Sequence, residues 1–253
     1  MARLHHKSVA VIGASRGVGR QIALACAQEG AAVLAVARGH ADLDALARQN
    51  PAIATLALDA AVEEASAAVL AKMQPDVLVL SLGAIPPTAP LPQLSWTQFS
   101  VNWEADVRAS FEFCKRALSQ PLSPGALVIL VSSGAAIGGS PISGGYAGSK
   151  RTQMFIAQYA QRESDRLGLG LRFVALAPMG IMPETDLGRH AVSGYSAYLG
   201  ISAADFVASL SGRPSVVDVV QAVLAVAESP RQASDTTLMV SAAGVSAMGK
   251  LSA

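Results

Sequence analysis

The chain has 253 residues, with 19 Lys and Arg against 18 Asp and Glu, a formal net charge of +1. Charged residues make up 15% and hydrophobic ones 51%, which excludes a disordered chain and leaves no bulk charge to drive binding to nucleic acid or an anionic membrane. Mean hydropathy is high at +0.40, yet no stretch approaches the ~18 unbroken apolar residues of a spanning helix.

In chain order, Ser8–Ile12 predicts a first strand, and a Gly-rich turn leads into a helix over about 18–30. Ala32–Ala37 predicts a second strand, followed by a helix through Leu43 and Leu46. Residues 53–58 predict a third strand, 62–72 a helix, and 76–80 a fourth strand. A Pro-rich loop over 86–92 leads into a long helix ending near Leu118. Residues 126–131 predict a fifth strand, 146–167 a long helix, and 171–176 a sixth strand. Val216–Glu228 predicts a helix and Thr237–Ser241 a last strand. The apolar runs are short and end at turn residues, as strands buried on both faces do. Alternation of this kind predicts one α/β domain over 1–253, a three-layer αβα arrangement with a mostly parallel sheet of about seven strands. The segment 183–212 breaks the rhythm, follows a strand end and carries Tyr195, Tyr198 and Phe206. Its place predicts a substrate loop, because loops at the carboxyl ends of strands form the ligand crevice of such sheets.

Cys26 and Cys114 lie far apart in helical patterns, so they read as buried thiols, and no Cys/His spacing predicts a metal site. The first nine residues hold no apolar signal-peptide core, and a cytoplasmic location is expected.

Gly13-Ala14-Ser15-Arg16-Gly17-Val18-Gly19 joins the first strand to its helix. Glycines there allow a tight turn and let backbone approach a pyrophosphate, which a helix N-terminus attracts through free N–H groups and its dipole. An NAD site has an acid near the end of the second strand to bind the ribose hydroxyls. This strand ends in Ala37 and Arg38 instead. A guanidinium grips a 2′-phosphate, and Arg16 adds a second cation, so NADP(H) is expected over NAD(H).

Tyr146 and Lys150 stand four apart on a helix and share one face. A neighbouring ammonium favours the phenolate, which suits a proton donor to a carbonyl becoming an alcohol, or an acceptor in reverse. Ser133, just past the fifth strand, falls at the same crevice and can hydrogen-bond the substrate oxygen.

Together, Gly13–Gly19, Ser133 and Tyr146xxxLys150 resemble the short-chain dehydrogenase/reductase family over essentially the whole chain. The resemblance implies a Rossmann-type fold, a nicotinamide cofactor, Tyr146 as acid/base, Lys150 as modulator of the tyrosine and ribose ligand, and Ser133 as carbonyl orienter. It implies Asp59 and Ala60 beside the adenine, Ser81 and Gly83 in the stretch after the fourth strand, and Pro178 and Gly180 flanking the nicotinamide. It also implies a homotetramer or homodimer. Three departures stand out. Leu80-Ser81-Leu82-Gly83 replaces the family's Asn-Asn-Ala-Gly, and Pro178-Met179-Gly180 inserts a residue into its Pro-Gly pair. Asp106 takes the place of the family's helical Asn, with Asn102 the rival position.

The expected function is a carbonyl–alcohol oxidoreductase acting on a small, partly apolar substrate. Alternatives are a dinucleotide-binding regulator on the same fold with little turnover, and an epimerase or dehydratase using the same tyrosine.

Overall fold

Runs such as Val-Ala-Val-Ile and Val-Leu-Val-Leu have no polar face, so they are stable only with both sides covered. A computed structural model, which describes residues 2–228 and 235–248, places them at the centre of one sheet. The strands are β1 (Ser8–Ile12), β2 (Ala32–Ala37), β3 (Ile53–Ala57), β4 (Val77–Leu80), β5 (Leu127–Val131), β6 (Arg172–Pro178), β7 (Thr237–Ser241) and β8 (Gly244–Ala247). Their order is β3-β2-β1-β4-β5-β6-β7-β8. All neighbours pair in parallel except β7 and β8.

The two-residue period of a strand sorts the core into two layers. Val9, Val11, Val33, Val79 and Ile129 face one cluster, whose helices are α1 (Gly17–Gln28), α2 (His40–Gln49) and α10 (Val216–Glu228). Ala10, Ile12, Leu34, Leu78 and Val128 face the other, formed by α3 (Ala65–Lys72), α5 (Arg108–Ser119) and α7 (Gly144–Leu167). The sheet is the Rossmann-type one expected, with eight strands where about seven were predicted. The added strand, β8, has all its residues exposed, so no buried alternation marks it in the sequence.

Two other expectations are corrected. The long helix ending near Leu118 is interrupted: α4 (Trp96–Asn102) passes through a π-helical turn, Trp103–Val107, into α5. The segment 183–212 is mostly helical, with α8 (Asp186–Leu199) capped by Thr185 and ended by left-handed Gly200, then α9 (Ala203–Ser209) capped by Ser202. A short helix, α6 (Ala135–Gly138), follows β5. Among the described residues no helix is long and apolar enough to cross a membrane.

The order of strands reverses between β1 and β4, and the crevice outside their carboxyl ends is where such sheets bind ligands.

Candidate active site

A cleft of about 570 Å³ lies over that crevice. The glycine turn forms one end. Gly13 has φ of +90°, and a Cβ there would meet the Ser81 carbonyl oxygen at 2.6 Å, so only glycine lets the turn pass beside the end of β4. The first turn of α1 then opens into the cleft with Ser15, Arg16, Gly17, Val18 and Gly19 on the wall. No side chain caps this helix and no carboxylate lies in its first turn, so its N–H groups and positive dipole end are left for an anion. Arg38 is exposed at the rim after β2, and among the described residues it has no carboxylate partner. Asp59 and Ala60 line the same end, and the Asp59 side chain accepts a bond from the Ala61 N–H at 3.0 Å. The donor set fits a dinucleotide: an uncapped helix start for the pyrophosphate and a cation at the end of the second strand.

Arg16 is less free than its sequence position suggests. It pairs with Asp186, the first residue of α8, at 3.4 Å, and Asp186 also pairs with Arg189. The Thr185 side chain comes within 4.0 Å of where a Cβ on Gly17 would stand. The start of α8 thus lies directly against the start of α1.

The middle of the cleft holds Ser81 and Gly83 after β4, Ser133 after β5, Tyr146 and Lys150 on α7, and Pro178 and Gly180 at the end of β6. Ser133 Oγ accepts the Ala135 N–H at 3.2 Å, which orients it at the start of α6. Lys150 Nζ lies 5.6 Å from the centroid of the Tyr146 ring. Ser132, not picked out from the sequence, donates to the Lys150 carbonyl at 2.8 Å and ties the end of β5 to α7.

Asp106 sits behind Lys150 and is fully buried. Its carboxylate is 3.1 Å from Lys150 Nζ and accepts the Ala84 N–H at 2.9 Å. Lys150 Nζ also donates to the Val131 carbonyl at 3.3 Å. Burial is the largest single influence on this ammonium and pulls its pKa down, but Asp106 and Tyr146 together outweigh it and leave the pKa raised. A Cβ on Gly83 would stand 3.1 Å from Asp106 Oδ2, so the glycine after β4 makes room for the carboxylate. Asn102, the rival position, is buried beside it, with Nδ2 donating to the Ala84 carbonyl at 2.8 Å and lying 3.5 Å from both Asp106 oxygens. The structure therefore brings both candidates to one place and gives the Lys150 contact to Asp106.

The far end of the cleft, walled by the later turns of α8, holds Thr88, Ser143, His190 and Tyr195, while Met179, Met182 and Leu187 line the cleft between there and the glycine turn. Tyr195 stood out in the sequence. Ser143 and His190 did not, because nothing local distinguishes them before α8 is folded over the cleft.

A family model described as short chain dehydrogenase matches residues 7–195. The chain is 34% identical over 122 residues to a D-erythrulose reductase of Gallus gallus, covering 47% of this chain and 49% of that protein. It is 31% identical over 129 residues to an L-xylulose reductase of Bos taurus, covering 50% and 53%. To a 2-keto-3-deoxy-L-fuconate dehydrogenase of Xanthomonas campestris it is 31% identical over 193 residues, covering 74% and 62%. The chain spans about half the length of the first two of these relatives. The family match takes in the glycine turn, Ser133, Tyr146 and Lys150 in one stretch, and this chain belongs to the short-chain dehydrogenase family.

Proposed function

We propose that this chain is an NADP(H)-dependent oxidoreductase that interconverts a carbonyl and an alcohol on a small substrate. The observation that carries the reading is the meeting of Ser133, Tyr146 and the Lys150 ammonium with an uncapped, glycine-lined helix start in one cleft. Bound along that cleft, the dinucleotide would supply hydride to a carbonyl carbon or take it from an alcohol. The turn of residues 13–19 would hold its pyrophosphate, and Arg38 with Arg16 its 2′-phosphate. Ser133 would donate to the substrate oxygen and hold it against Tyr146. The Tyr146 hydroxyl would pass its proton to that oxygen during reduction, and the adjacent Lys150 ammonium stabilises the phenolate left behind. In oxidation the phenolate would take the proton back.

The substrate follows from the far end of the cleft. Met179, Met182 and Leu187 give the approach to it an apolar wall, while the relatives named for erythrulose and xylulose bring hydroxylated ketones into the candidate set. A cytoplasmic location and a homodimer or homotetramer belong to the same proposal.

A second reading, a dinucleotide-binding regulator, is favoured by one observation. Lys150 is engaged by Asp106 and the Val131 carbonyl, a pairing that tempers its charge toward Tyr146. Turnover separates the two. NADPH should bind with a change in its fluorescence and be oxidised by at least one member of a panel of ketones. Tyr146→Phe should keep NADPH affinity within about threefold and cut kcat by ~100-fold or more, the scale of a lost general acid. A kcat within about threefold of wild type would remove Tyr146 from the mechanism. NADPH binding without turnover across the panel would favour the regulator.

A further inference from the structure

The far end of the cleft contains polar groups that the proton step does not use. Three hydroxyls form a chain: Ser140 Oγ lies 2.7 Å from Ser143 Oγ and 2.7 Å from the Tyr195 hydroxyl. The Tyr195 ring is fixed by stacking on Phe206 of α9, with centroids 5.5 Å apart and planes 4° from parallel. Ser143 and Tyr195 line the cleft.

Counting hydrogens shows what this chain offers. A hydroxyl has one hydrogen and two lone pairs. Ser140 Oγ already accepts the Ser143 N–H at 3.1 Å, with the Ile142 N–H at 3.4 Å sharing that side. It therefore has room to accept from only one neighbouring hydroxyl and must donate to the other. The neighbour that receives keeps its own hydrogen unspent. That hydrogen sits on Ser143 or on Tyr195, in either case on the cleft wall.

His190 supplies the complement. Its Nε2 is 2.8 Å from the Pro86 carbonyl oxygen. A carbonyl only accepts, so Nε2 carries the hydrogen of the neutral ring and Nδ1 keeps a lone pair. His190 also lines the cleft. The wall thus presents one spare donor and one spare acceptor, and a hydroxyl group is both.

We propose that Ser143, Tyr195 and His190 form a subsite for a hydroxyl group carried by the substrate beside its carbonyl, so that the preferred ketones are hydroxyketones. The inference rests on the oxidoreductase reading and deepens it. Ser143 directly precedes α7, one turn before Tyr146, so the subsite adjoins the proton donor. A plain ketone seated there leaves the donor and the acceptor desolvated without partners, which is how a site built for a hydroxyl rejects the analogue lacking it.

The test compares hydroxybutanone, with its hydroxyl next to the carbonyl, and butanone, the same skeleton without it, each with NADPH. The wild type should favour hydroxybutanone in kcat/KM by ~10-fold or more. Tyr195→Phe keeps the ring stack and loses the hydroxyl. His190→Gln keeps a donor for the Pro86 carbonyl and loses Nδ1. Each variant should lose more with hydroxybutanone than with butanone, chiefly through KM, so that the preference falls by ~5-fold or more. A merely structural role would weaken both ketones equally, and that result overturns the subsite. So does a wild-type ratio near unity, or turnover of neither ketone while NADPH still binds. Failure of the wild type to bind NADPH would overturn the oxidoreductase reading, and the subsite with it.

Discussion

Arg38 and Arg16 have similar prospects in the sequence and different ones in the fold. Arg38 has no carboxylate partner among the described residues, whereas Arg16 is paired with Asp186. Arg38 should therefore carry most of the cofactor choice. Arg38→Ala is expected to cut kcat/KM for NADPH by ~10- to 150-fold, the range of one charge-assisted contact, with little change for NADH. Ala37→Asp should move preference toward NADH by repelling the 2′-phosphate. A wild type that prefers NADH would sink this assignment and leave the tyrosine chemistry standing. Behind the cleft, Lys150→Met would strand the buried Asp106 carboxylate, a loss of roughly 3–5 kcal/mol measurable by denaturation. Because the folded Lys150 pKa is raised above the ordinary 10.5, its contribution is complete below that pH and is lost only as pH climbs through the raised value. Stability at neutral and mildly alkaline pH should therefore show no loss from this ammonium. Asp106→Asn leaves the Lys150 charge less opposed, and the ascending limb of the kcat profile for alcohol oxidation, set by the group that must lose its proton, should move to lower pH. An unchanged limb would show that the carboxylate has no bearing on Tyr146. Tyr146, Lys150 and Ser133 were legible because spacing on a helix and position after a strand fix where they point. The partner of Arg16 was not, since Asp186 lies in a different element far along the chain.

At the scale of elements, the strands and the helices packed on the sheet follow directly from apolar period. Helix α8 does not, for a definite reason. Its buried face is Gly188, Val192 and Ser196, a regular four-residue spacing in which two of three members are too small or polar to register as hydrophobic. The signals that do mark it are its ends: Thr185, whose side chain accepts the Gly188 N–H at 2.9 Å, and left-handed Gly200. Helix α9 buries only Phe206. The start of α8 also carries a prediction about coupling. Asp186 holds Arg16 at the glycine turn, so on the NADP(H) proposal a 2′-phosphate there would compete with a carboxylate for the same guanidinium. Asp186→Asn should tighten NADPH by ~2- to 5-fold relative to NADH, a modest effect because both side chains are about half exposed. Equal changes for the two cofactors would place Arg16 outside phosphate binding.

For the molecule as a whole, alternation of strand and helix was enough to name the architecture, because a parallel sheet is covered on both faces only in this way. The antiparallel β8 escaped because it lies at the sheet edge with every residue exposed. Helices α5 and α7 together leave an apolar surface uncovered: Phe111 is 50% exposed and Tyr159 62%, with Phe155 stacked on Tyr159 at 6.3 Å. An exposed aromatic group on two adjacent helices is the surface that the proposed dimer or tetramer would cover. Sedimentation should find a dimer or tetramer in the wild type. Phe155→Glu combined with Tyr159→Glu should shift it toward the monomer. A monomeric wild type at micromolar concentration would refute the assembly.

The turn at Trp103–Val107 has a consequence for chain length. The Arg108 N–H reaches back to the Trp103 carbonyl, so this stretch holds one residue more than a regular helix of the same rise. One residue corresponds to about 100° of helical rotation. Deleting Ala105 would let the backbone close into ordinary helix with α4 and α5 still in phase, because the wide turn has already absorbed that rotation. The change would fall inside the turn, where Asp106 would shift against Lys150 while Asn102 kept the Ala84 carbonyl. Substitution on the exposed side of this turn should be tolerated, whereas a single-codon deletion should leave a folded protein with its helices in place and a disturbed Asp106–Lys150 contact.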